Sequence, residues 1–283
     1  MTRIVFNFTD HTFGRLDPCE LEGRSFNGGL RTMISYSASD GIATALLDRE
    51  DKLNAMDRPF WAELEDCLAG ATADPAVRVL IFRGAGRCFS VGGDIAGFGA
   101  VGGPKDRRAF IGEALKALRA VDDFPKPTIA AVHGHALGGG CELTMVCDIV
   151  VADETASFAT PEASVGLVPG LGVARGLAQV NLHWMKYLVL TGERLDAEEA
   201  RLAGLVNVVT PAGGHVEEAE RLAAAIAAKA PLALEVGKAL LNRSASETYA
   251  HAADAVPFLM GTEDSAAGIA AFKARRTPKF HGR

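Results

Sequence analysis

Two glycine-rich segments have the composition of ligand-binding loops. They cover residues 83–95 (RGAGRCFSVGGDI) and 133–143 (HGHALGGGCEL), and each follows an apolar run typical of a buried strand. Neither contains the Gly-Lys-Ser/Thr of a P-loop. Neither fits the GxGxxG pattern with an acidic residue about twenty positions later. A nucleotide-binding fold is therefore disfavoured.

A different chemistry suits these loops better. Glycines after a strand leave backbone N–H groups open to a ligand, and N–H groups at a helix start gain from the helix dipole. Two such groups that converge from two loops would form an oxyanion hole, which stabilises negative charge on a carbonyl oxygen. For each loop taken alone, the alternative is a tight turn or a helix-packing point.

The elements around these loops predict an α/β layer structure, because strands and helices alternate along the chain. From about Val216 the sequence pattern is helical throughout, with Pro231 at the first position of one helix. We expect an N-terminal extension at 1–32, an α/β core at 33–212 and a helical region at 213–283. The predicted elements are a hairpin over 34–48 that turns at Asp40-Gly41, a helix from Pro59 to Ala71 capped by Asp57, strands at 77–84, 128–134 and 149–153, a helix from Arg107 to Val121, and a helix within 136–148 after the glycines.

Composition narrows the class of protein. The chain has 283 residues, of which 48% are hydrophobic and 23% charged, and its net charge is -6. This balance disfavours nucleic acid as a partner, because phosphate binding needs a concentrated basic face. No apolar run approaches the ~18 residues of a membrane span, and the first residues lack a secretory signal. We therefore expect a cytoplasmic protein with neither a nucleic-acid nor a membrane partner.

The cysteines do not predict a metal site. Five are present, an odd number, and their spacing matches no paired metal-ligand pattern. Small buried thiols in a reducing compartment are the expected state. The five are Cys19, Cys67, Cys88, Cys141 and Cys147.

Six ordered segments together resemble the enoyl-CoA hydratase/isomerase (crotonase) superfamily, and the enoyl-CoA hydratases most. The likeness runs from about Met33 to the C-terminus. Besides the two glycine-rich segments, it rests on DREDKLNAMD (48–57), FATPEASVGLVPGLG (158–172), LTGERLDAEEARLAGLVNVV (190–209) and AAFKARRTPKF (270–280). It implies a spiral of repeated ββα units followed by a C-terminal helical region that makes trimer contacts. It also implies a homotrimer or a dimer of trimers.

The resemblance implies catalytic roles for four residues. The oxyanion N–H groups fall on Gly93 and Gly139, which would hold a thioester carbonyl oxygen. Glutamates stand at both positions that hydratase-type members use, Glu142 and Glu162. Two carboxyls beside one water can divide the roles of base and acid when water adds to C2=C3 of a trans-2-enoyl-CoA. Taken singly, Glu142 would be an exposed acid in a first helical turn and Glu162 a surface residue after Pro161.

The resemblance also implies how the acyl-CoA thioester is held. Coenzyme A is then part of the substrate, and we expect no separate cofactor. The alternative for the basic residues near position 273 is a solvated helix end. The implied contacts are Lys52, Leu53, Ala55, Gly92, Asp94 and Ile95, with Phe272 and Lys273 from the C-terminal segment.

Several positions depart from the family pattern and keep other functions open. His133 and His135 stand where many members carry other residues, and packing or a solvent-facing edge is their expected role. LGVARGLAQ (171–179) replaces the common GGTQRL, so Arg175 is not placed in the usual way and the acyl specificity stays open. The glycine-rich segment 97–104 varies among relatives. The alternatives are an enoyl-CoA isomerase or a carnitinyl-CoA-type dehydratase on the same scaffold, and a non-catalytic or RNA-binding homologue.

Overall fold

Two β-sheets form the frame of the protein, and the computed structural model describes it over residues 32–98, 101–242 and 256–278. The larger sheet has six strands in the order β1-β2-β3-β4-β6-β9, and the smaller has three in the order β5-β7-β8. From β2 to β9 the large sheet is parallel, and only the β1–β2 hairpin is antiparallel. The α/β class predicted from the alternating pattern is confirmed.

The elements follow the chain in an order that repeats strand, strand, helix. The strands are β1 (Ile34–Ser39), β2 (Ile42–Leu47), β3 (Val79–Gly84), β4 (Thr128–Val132), β5 (His135–Leu137), β6 (Ile149–Asp153), β7 (Ser157–Ala159), β8 (Leu195–Asp196) and β9 (Val208–Thr210). The helices are α1 (Arg58–Ala73), α2 (Ile95–Phe98), α3 (Pro104–Asp122), α4 (Gly139–Val146), α5 (Gly172–Gln179), α6 (Leu182–Thr191), α7 (Ala197–Ala203), α8 (His215–Ala227), α9 (Pro231–Leu241), α10 (256–260) and α11 (Glu263–Lys273), with short 3-10 turns at Glu50–Lys52 and Pro161–Val165.

The first strand of each repeat lies in the large sheet. The second strand lies beside the first one in the unit β1-β2-α1 and outside the large sheet in the later units. The units β1-β2-α1 and β4-β5-α4 are complete, and β6-β7 is followed by the 3-10 turn and α5. In the unit that starts with β3, the second strand is reduced to one isolated bridge between Ser90 and Ala136. A second isolated bridge joins Met56 to Gly93. Both bridges lie in or next to the first glycine-rich segment.

Local sequence signals account for the ends of the elements. Asp40 and Gly41 both have positive φ at the turn between β1 and β2, as their Asp-Gly signature predicts. The carboxylate of Asp57 accepts a hydrogen bond from the Phe60 N–H at 3.2 Å and so caps α1. Pro231 stands at the start of α9. These three predictions are confirmed, whereas α3 begins at Pro104, three residues before the predicted Arg107.

Two apolar clusters lie on opposite faces of the large sheet. The larger one packs β-strand residues such as Leu80 and Ala130 against α1, α3 and α4. The smaller one packs Val79, Ile129 and Val151 against α8. Because side chains alternate along a strand, neighbouring positions supply the two clusters in turn. The sheet is therefore buried on both faces, which explains its nearly continuous apolar strands.

The C-terminal part described is helical after β9, which ends at Thr210, and α8 follows from His215. The proposed division at residues 32 and 212 stays a prediction, and residues 1–31 lie outside the described residues. In the ranges described, no helix is both long and apolar enough to span a membrane. Cys67, Cys88, Cys141 and Cys147 are buried free thiols, as expected, and Cys19 lies outside the described residues.

A polar cluster lies under the start of α8, where three neighbouring parallel strands end. Arg83, His133 and Asp153 follow β-strand residues that face α8, and His215 is the first residue of that helix. The rings of His133 and His215 are stacked with centroids 4.8 Å apart. His215 Nδ1 lies 3.2 Å from a carboxylate oxygen of Asp153. The packing role expected for His133 is confirmed.

This cluster should make stability depend on pH through His215. Burial lowers the pKa of His215 most, His133 and Arg83 lower it further, and Asp153 opposes them. The unfolded chain then binds the proton more readily than the folded protein, so stability is lost as pH falls through the ordinary histidine range. We expect the melting temperature of the wild type to fall more between pH 7.5 and pH 5.5 than that of His215→Gln. Circular dichroism melts at several pH values measure both, and equal slopes would contradict the assignment.

Candidate active site

A cavity opens between the two glycine-rich segments and helix α3. Its empty space is about 1050 Å³ including the open mouth. That size accommodates a drug-sized ligand or one arm of a larger one. Six of the residues predicted for the site line it: Gly93, Ile95, Gly139, Glu142, Glu162 and Phe272.

The N–H group of Gly93 faces this cavity because of the bridge to Met56. The Met56 N–H donates to the Gly92 carbonyl at 2.8 Å, and the Asp94 N–H donates to the Met56 carbonyl at 2.8 Å. Successive residues of an extended strand point their N–H groups in opposite directions. The N–H of Gly93 therefore points away from Met56.

The second N–H group belongs to Gly139, the first residue of α4. It comes close to the first one, since a Cβ placed on Gly139 would lie 3.7 Å from the Gly93 nitrogen. Within the part of the chain that the structure describes, neither N–H has a hydrogen-bond acceptor. Two unused donors side by side, one of them at a helix N-terminus, have the geometry of an oxyanion hole.

Gly92 must be glycine for the two loops to meet. Its φ is +83°, and a Cβ on it would lie 2.5 Å from the Leu137 carbonyl oxygen and 2.8 Å from the Gly139 nitrogen. Both distances are shorter than a carbon atom tolerates. Gly92 therefore acts by its lack of a side chain, which lets the second loop approach.

Asn54 ties the loop before α1 to the first glycine-rich segment. Its Nδ2 donates to the carbonyls of Ala85 and Cys88 at 2.9 Å, and its Oδ1 accepts from the Arg49 N–H at 2.9 Å. The hydroxyl of buried Ser90 donates to the Asn54 carbonyl at 2.7 Å and accepts from the Gly92 N–H at 3.1 Å. A buried polar network that is satisfied in this way rigidifies its surroundings. The donor at Gly93 is thereby held in place.

Glu142 is buried in the cavity wall, with 8% of its surface exposed. Its Oε1 accepts hydrogen bonds from the N–H groups of Leu171 at 2.6 Å and Gly172 at 2.8 Å. Burial raises the pKa of this carboxyl, and the backbone donors, Gly172 first, act against that rise. The alternative of an exposed first-turn acid is wrong.

Glu162 reaches the same cavity from the opposite side. It sits in the 3-10 turn Pro161–Val165, and its buried Oε2 has no hydrogen-bond partner among the residues described. Burial raises the pKa of its carboxyl, and the neighbouring Glu142 raises it further. Two carboxyls that line one mainly apolar cavity cannot both ionise readily, because each charge raises the free energy of the other.

The C-terminal helix braces the turn that carries Glu162. A Cβ on Gly166 would lie 2.6 Å from Ser265 Cα, and one on Gly268 would lie 2.6 Å from Val165 Cα. Helix α11 thus packs directly on the 3-10 turn, and the last residues of that helix bring Phe272 to the cavity.

The rest of the cavity wall is mainly apolar and comes mostly from α1, α2 and α3. Phe98 packs edge-on against Phe110 with ring centroids 5.5 Å apart. Trp61 of α1 and four further residues of α3 continue the wall; those of α3 are Ile111, Ala114, Leu115 and Leu118. Such a wall suits an apolar group next to the polar end of the cavity.

Comparison with known proteins decides the family. The enoyl-CoA hydratase/isomerase family profile matches residues 37–283. The chain belongs to this family. A 2,3-dehydroadipyl-CoA hydratase of Escherichia coli is 37% identical over 256 residues, covering 88% of this chain and 99% of the relative. A crotonyl-CoA hydratase of Syntrophomonas wolfei is 34% identical, with 87% and 97% covered.

The solved structures agree with this family membership. A crystal structure of a carnitinyl-CoA hydratase from Mycobacterium avium superposes with a TM-score of 0.80 at 32% identity, covering 90% of this chain and 100% of that one. The expected crotonase-like spiral of ββα units is thereby confirmed. A hydratase/isomerase member is an enzyme that acts on acyl-CoA thioesters, so the two N–H groups and the two carboxyls are the groups to consider for catalysis.

The remaining six predicted contacts, Gly92 among them, do not line the cavity. Lys52 is exposed in the first 3-10 turn, and Leu53 follows it with a φ of +54°. The Ala55 carbonyl accepts from Arg49 Nη1 at 3.0 Å, and Asp94 lies 3.1 Å from the same nitrogen. Lys273 is exposed next to Phe272. The structure brings none of Lys52, Leu53, Ala55, Asp94 and Lys273 onto the cavity wall.

Three features of the site carry no clear signal in the sequence. The donors to Glu142 come from Leu171 and Gly172, at the start of a helix that no strong periodicity predicts. Asn54 is one polar residue in the loop DREDKLNAMD, and only its burial shows its role. The role of His135 is also visible only in the folded structure, where its Nδ1 lies 2.9 Å from the Ser157 hydroxyl.

Gly92→Ala should abolish most of the turnover of an enoyl-CoA. The new methyl group would push Gly139 away from Gly93, and loss of one oxyanion donor typically costs about 10²–10³ in rate. Steady-state kinetics measure the loss. Gly112→Ala is the matched control, because a Cβ there meets nothing within 4 Å. Turnover by Gly92→Ala equal to that of the control would rule out the close approach.

Proposed function

We propose that the protein is an enoyl-CoA hydratase that adds water in syn fashion to C2=C3 of a trans-2-enoyl-CoA thioester. The observation that carries this proposal is the shared cavity, in which two buried carboxyls, Glu142 and Glu162, stand beside the free N–H groups of Gly93 and Gly139. The hydratases among the relatives support it.

The two N–H groups would polarise the thioester. Negative charge grows on the carbonyl oxygen as water attacks C3, because C2=C3 is conjugated with the carbonyl. Donors that are already in place stabilise the resulting enolate without having to reorganise. Met56 and the Asn54 network, which hold Gly93, serve this step by fixing the donor.

The two carboxyls would divide the proton transfers. Glu142 accepts two backbone hydrogen bonds, which favour its ionised form, so it is the base that takes a proton from water. Glu162 has an oxygen without a partner, and its pKa is raised, so it is the acid that delivers a proton to C2. Hydroxide from the water bonds to C3 and the proton from Glu162 bonds to C2, which leaves Glu142 protonated and Glu162 ionised. One proton must then return from Glu142 to Glu162, directly or through solvent, before the next turnover.

The coenzyme A part of the substrate would bind along the cavity mouth. Gly92, Asp94 and the loop with Lys52, Leu53 and Ala55 would border it on one side. Ile95 lines the cavity there. Phe272 is 60% exposed and also lines the cavity, so it and Lys273 would meet the nucleotide end.

Glu142→Gln and Glu162→Gln should each lower kcat for crotonyl-CoA hydration by roughly 10²–10⁴-fold, because each removes one partner of the proton transfer. Loss of the absorbance of the conjugated thioester measures the rate. Glu220→Gln on α8, an exposed glutamate, is the control and should hydrate at the wild-type rate. Unchanged hydration in both site variants would defeat the proposal. Turnover of a trans-3-enoyl-CoA without any hydration would instead favour an isomerase.

We also propose that the chain assembles as a homotrimer or a dimer of trimers through its C-terminal helices. Helix α9 exposes an apolar stripe spaced by four residues, Leu232 (72%), Val236 (57%) and Leu240 (55%), and Phe258 (74%) is exposed on α10. Exposed apolar patches of this kind mark interaction surfaces. Light scattering should give three or six chain masses for the wild type and a smaller mass for Val236→Lys. A monomeric wild type would contradict the assembly.

A further inference from the structure

Helix α5 holds Glu142 but has little stability of its own. It is eight residues long, it contains Gly172 and Gly176, and no side chain caps its start at Leu171. Short helices with glycines are marginal without tertiary support. The position of its first two N–H groups, which bind Glu142 Oε1, must therefore be imposed from outside.

Arg175, in the middle of this helix, connects the helix to its neighbours through a buried ion pair. The side chain is 7% exposed, and its Nε lies 3.0 Å from Oδ1 of Asp122, which is 3% exposed. Its Nη2 donates to Asn242 Oδ1, and Asn242 Nδ2 donates to the Asp122 carbonyl at 3.1 Å. This Arg175 cluster (Arg175, Asp122 and Asn242) joins α5, α3 and the end of α9.

Through Asp122, the Arg175 cluster is also connected to the cavity wall. Asp122 is the last residue of α3, one turn after Leu118, and Leu118 and Leu115 line the cavity. The Arg175 cluster therefore fixes the helix that holds Glu142 relative to the helix that faces the acyl group.

We propose that Arg175 is a positioning residue for Glu142. Its ion pair with Asp122 sets the first turn of α5, so that the N–H groups of Leu171 and Gly172 reach Glu142 Oε1. This inference rests on the proposed hydration, in which Glu142 is the base.

The effect should appear in the pH dependence of the rate. The acid side of the rate profile reports protonation of Glu142, which must be ionised to accept a proton from water. Glu162 from the 3-10 turn faces Glu142, whereas the charged groups of α3 and α5 near it, Asp122 and Arg175, pair with each other. If α5 shifts, Glu142 loses donors that favour its ionised form, and the acid side of the profile moves to higher pH.

The test is Arg175→Gln, compared with the wild type for crotonyl-CoA hydration from pH 5 to pH 9. We expect kcat to fall roughly 10–100-fold, the loss typical of a small misplacement of a reacting group. We expect KM to change less than about threefold, because coenzyme A is held elsewhere, and the acid side of the profile to rise by about one pH unit. Arg175→Lys keeps the charge and should recover part of both changes.

A buried ion pair also stabilises the fold, so a control must separate the two roles. His215→Gln removes a similarly buried partner of Asp153 on the other face of the sheet, and it should lower the melting temperature with kcat at pH 8 unchanged. A variant of Arg175 that loses only stability, with kcat and profile as in the wild type, overturns the inference. If Arg175→Gln does not fold, Asp122→Asn decides in the same way, because it removes the other charge of the ion pair, and an unchanged profile overturns the inference. A wild type that hydrates no enoyl-CoA would instead overturn the proposed function.

Discussion

Two carboxyl groups share one mainly apolar cavity with two free N–H donors, and this electrostatic constraint explains most of the architecture around it. Burying two unpaired carboxylates would cost several kcal/mol. The structure reduces that cost by directing two backbone N–H groups at Glu142, whereas burial and the neighbouring Glu142 raise the pKa of Glu162 and so favour its neutral form. The remaining free donors, at Gly93 and Gly139, are then available to the substrate.

Backbone groups rather than side chains carry the electrostatics of this site. Four N–H groups do so: those of Leu171 and Gly172 donate to Glu142, and those of Gly93 and Gly139 are the proposed oxyanion donors. A backbone donor has no rotamers to change, so its position is determined by the packing of the helix, strand or loop that carries it. That packing explains why side chains distant from the substrate, such as Asn54, matter for the chemistry.

Local pattern predicts β1, β2, β3, β4, β6 and the long helices, whereas the four catalytic candidates come from the resemblance to the enoyl-CoA hydratase/isomerase family. Asp-Gly turns, capping residues and glycines after buried strands act within a few residues of their position. The support for Glu142 could not be predicted in the same way. Leu171 and Gly172 are recognisable as donors only once α5 is packed against α4, and Arg175 is recognisable as structural only once Asp122 is found fifty-three positions earlier along the chain. The sequence does not predict the short strands β5, β7, β8 and β9 for the same reason, since their pairing is entirely non-local.

The two isolated bridges, Met56 to Gly93 and Ser90 to Ala136, have an evolutionary consequence. They hold the first glycine-rich segment on both sides, and no described residue between Gly93 and α3 belongs to a ladder of either sheet. Insertions or deletions between Gly93 and α3 can accumulate there without shifting the register of a strand. The enclosure around the acyl chain can thus diversify among descendants while the reacting centre is inherited unchanged.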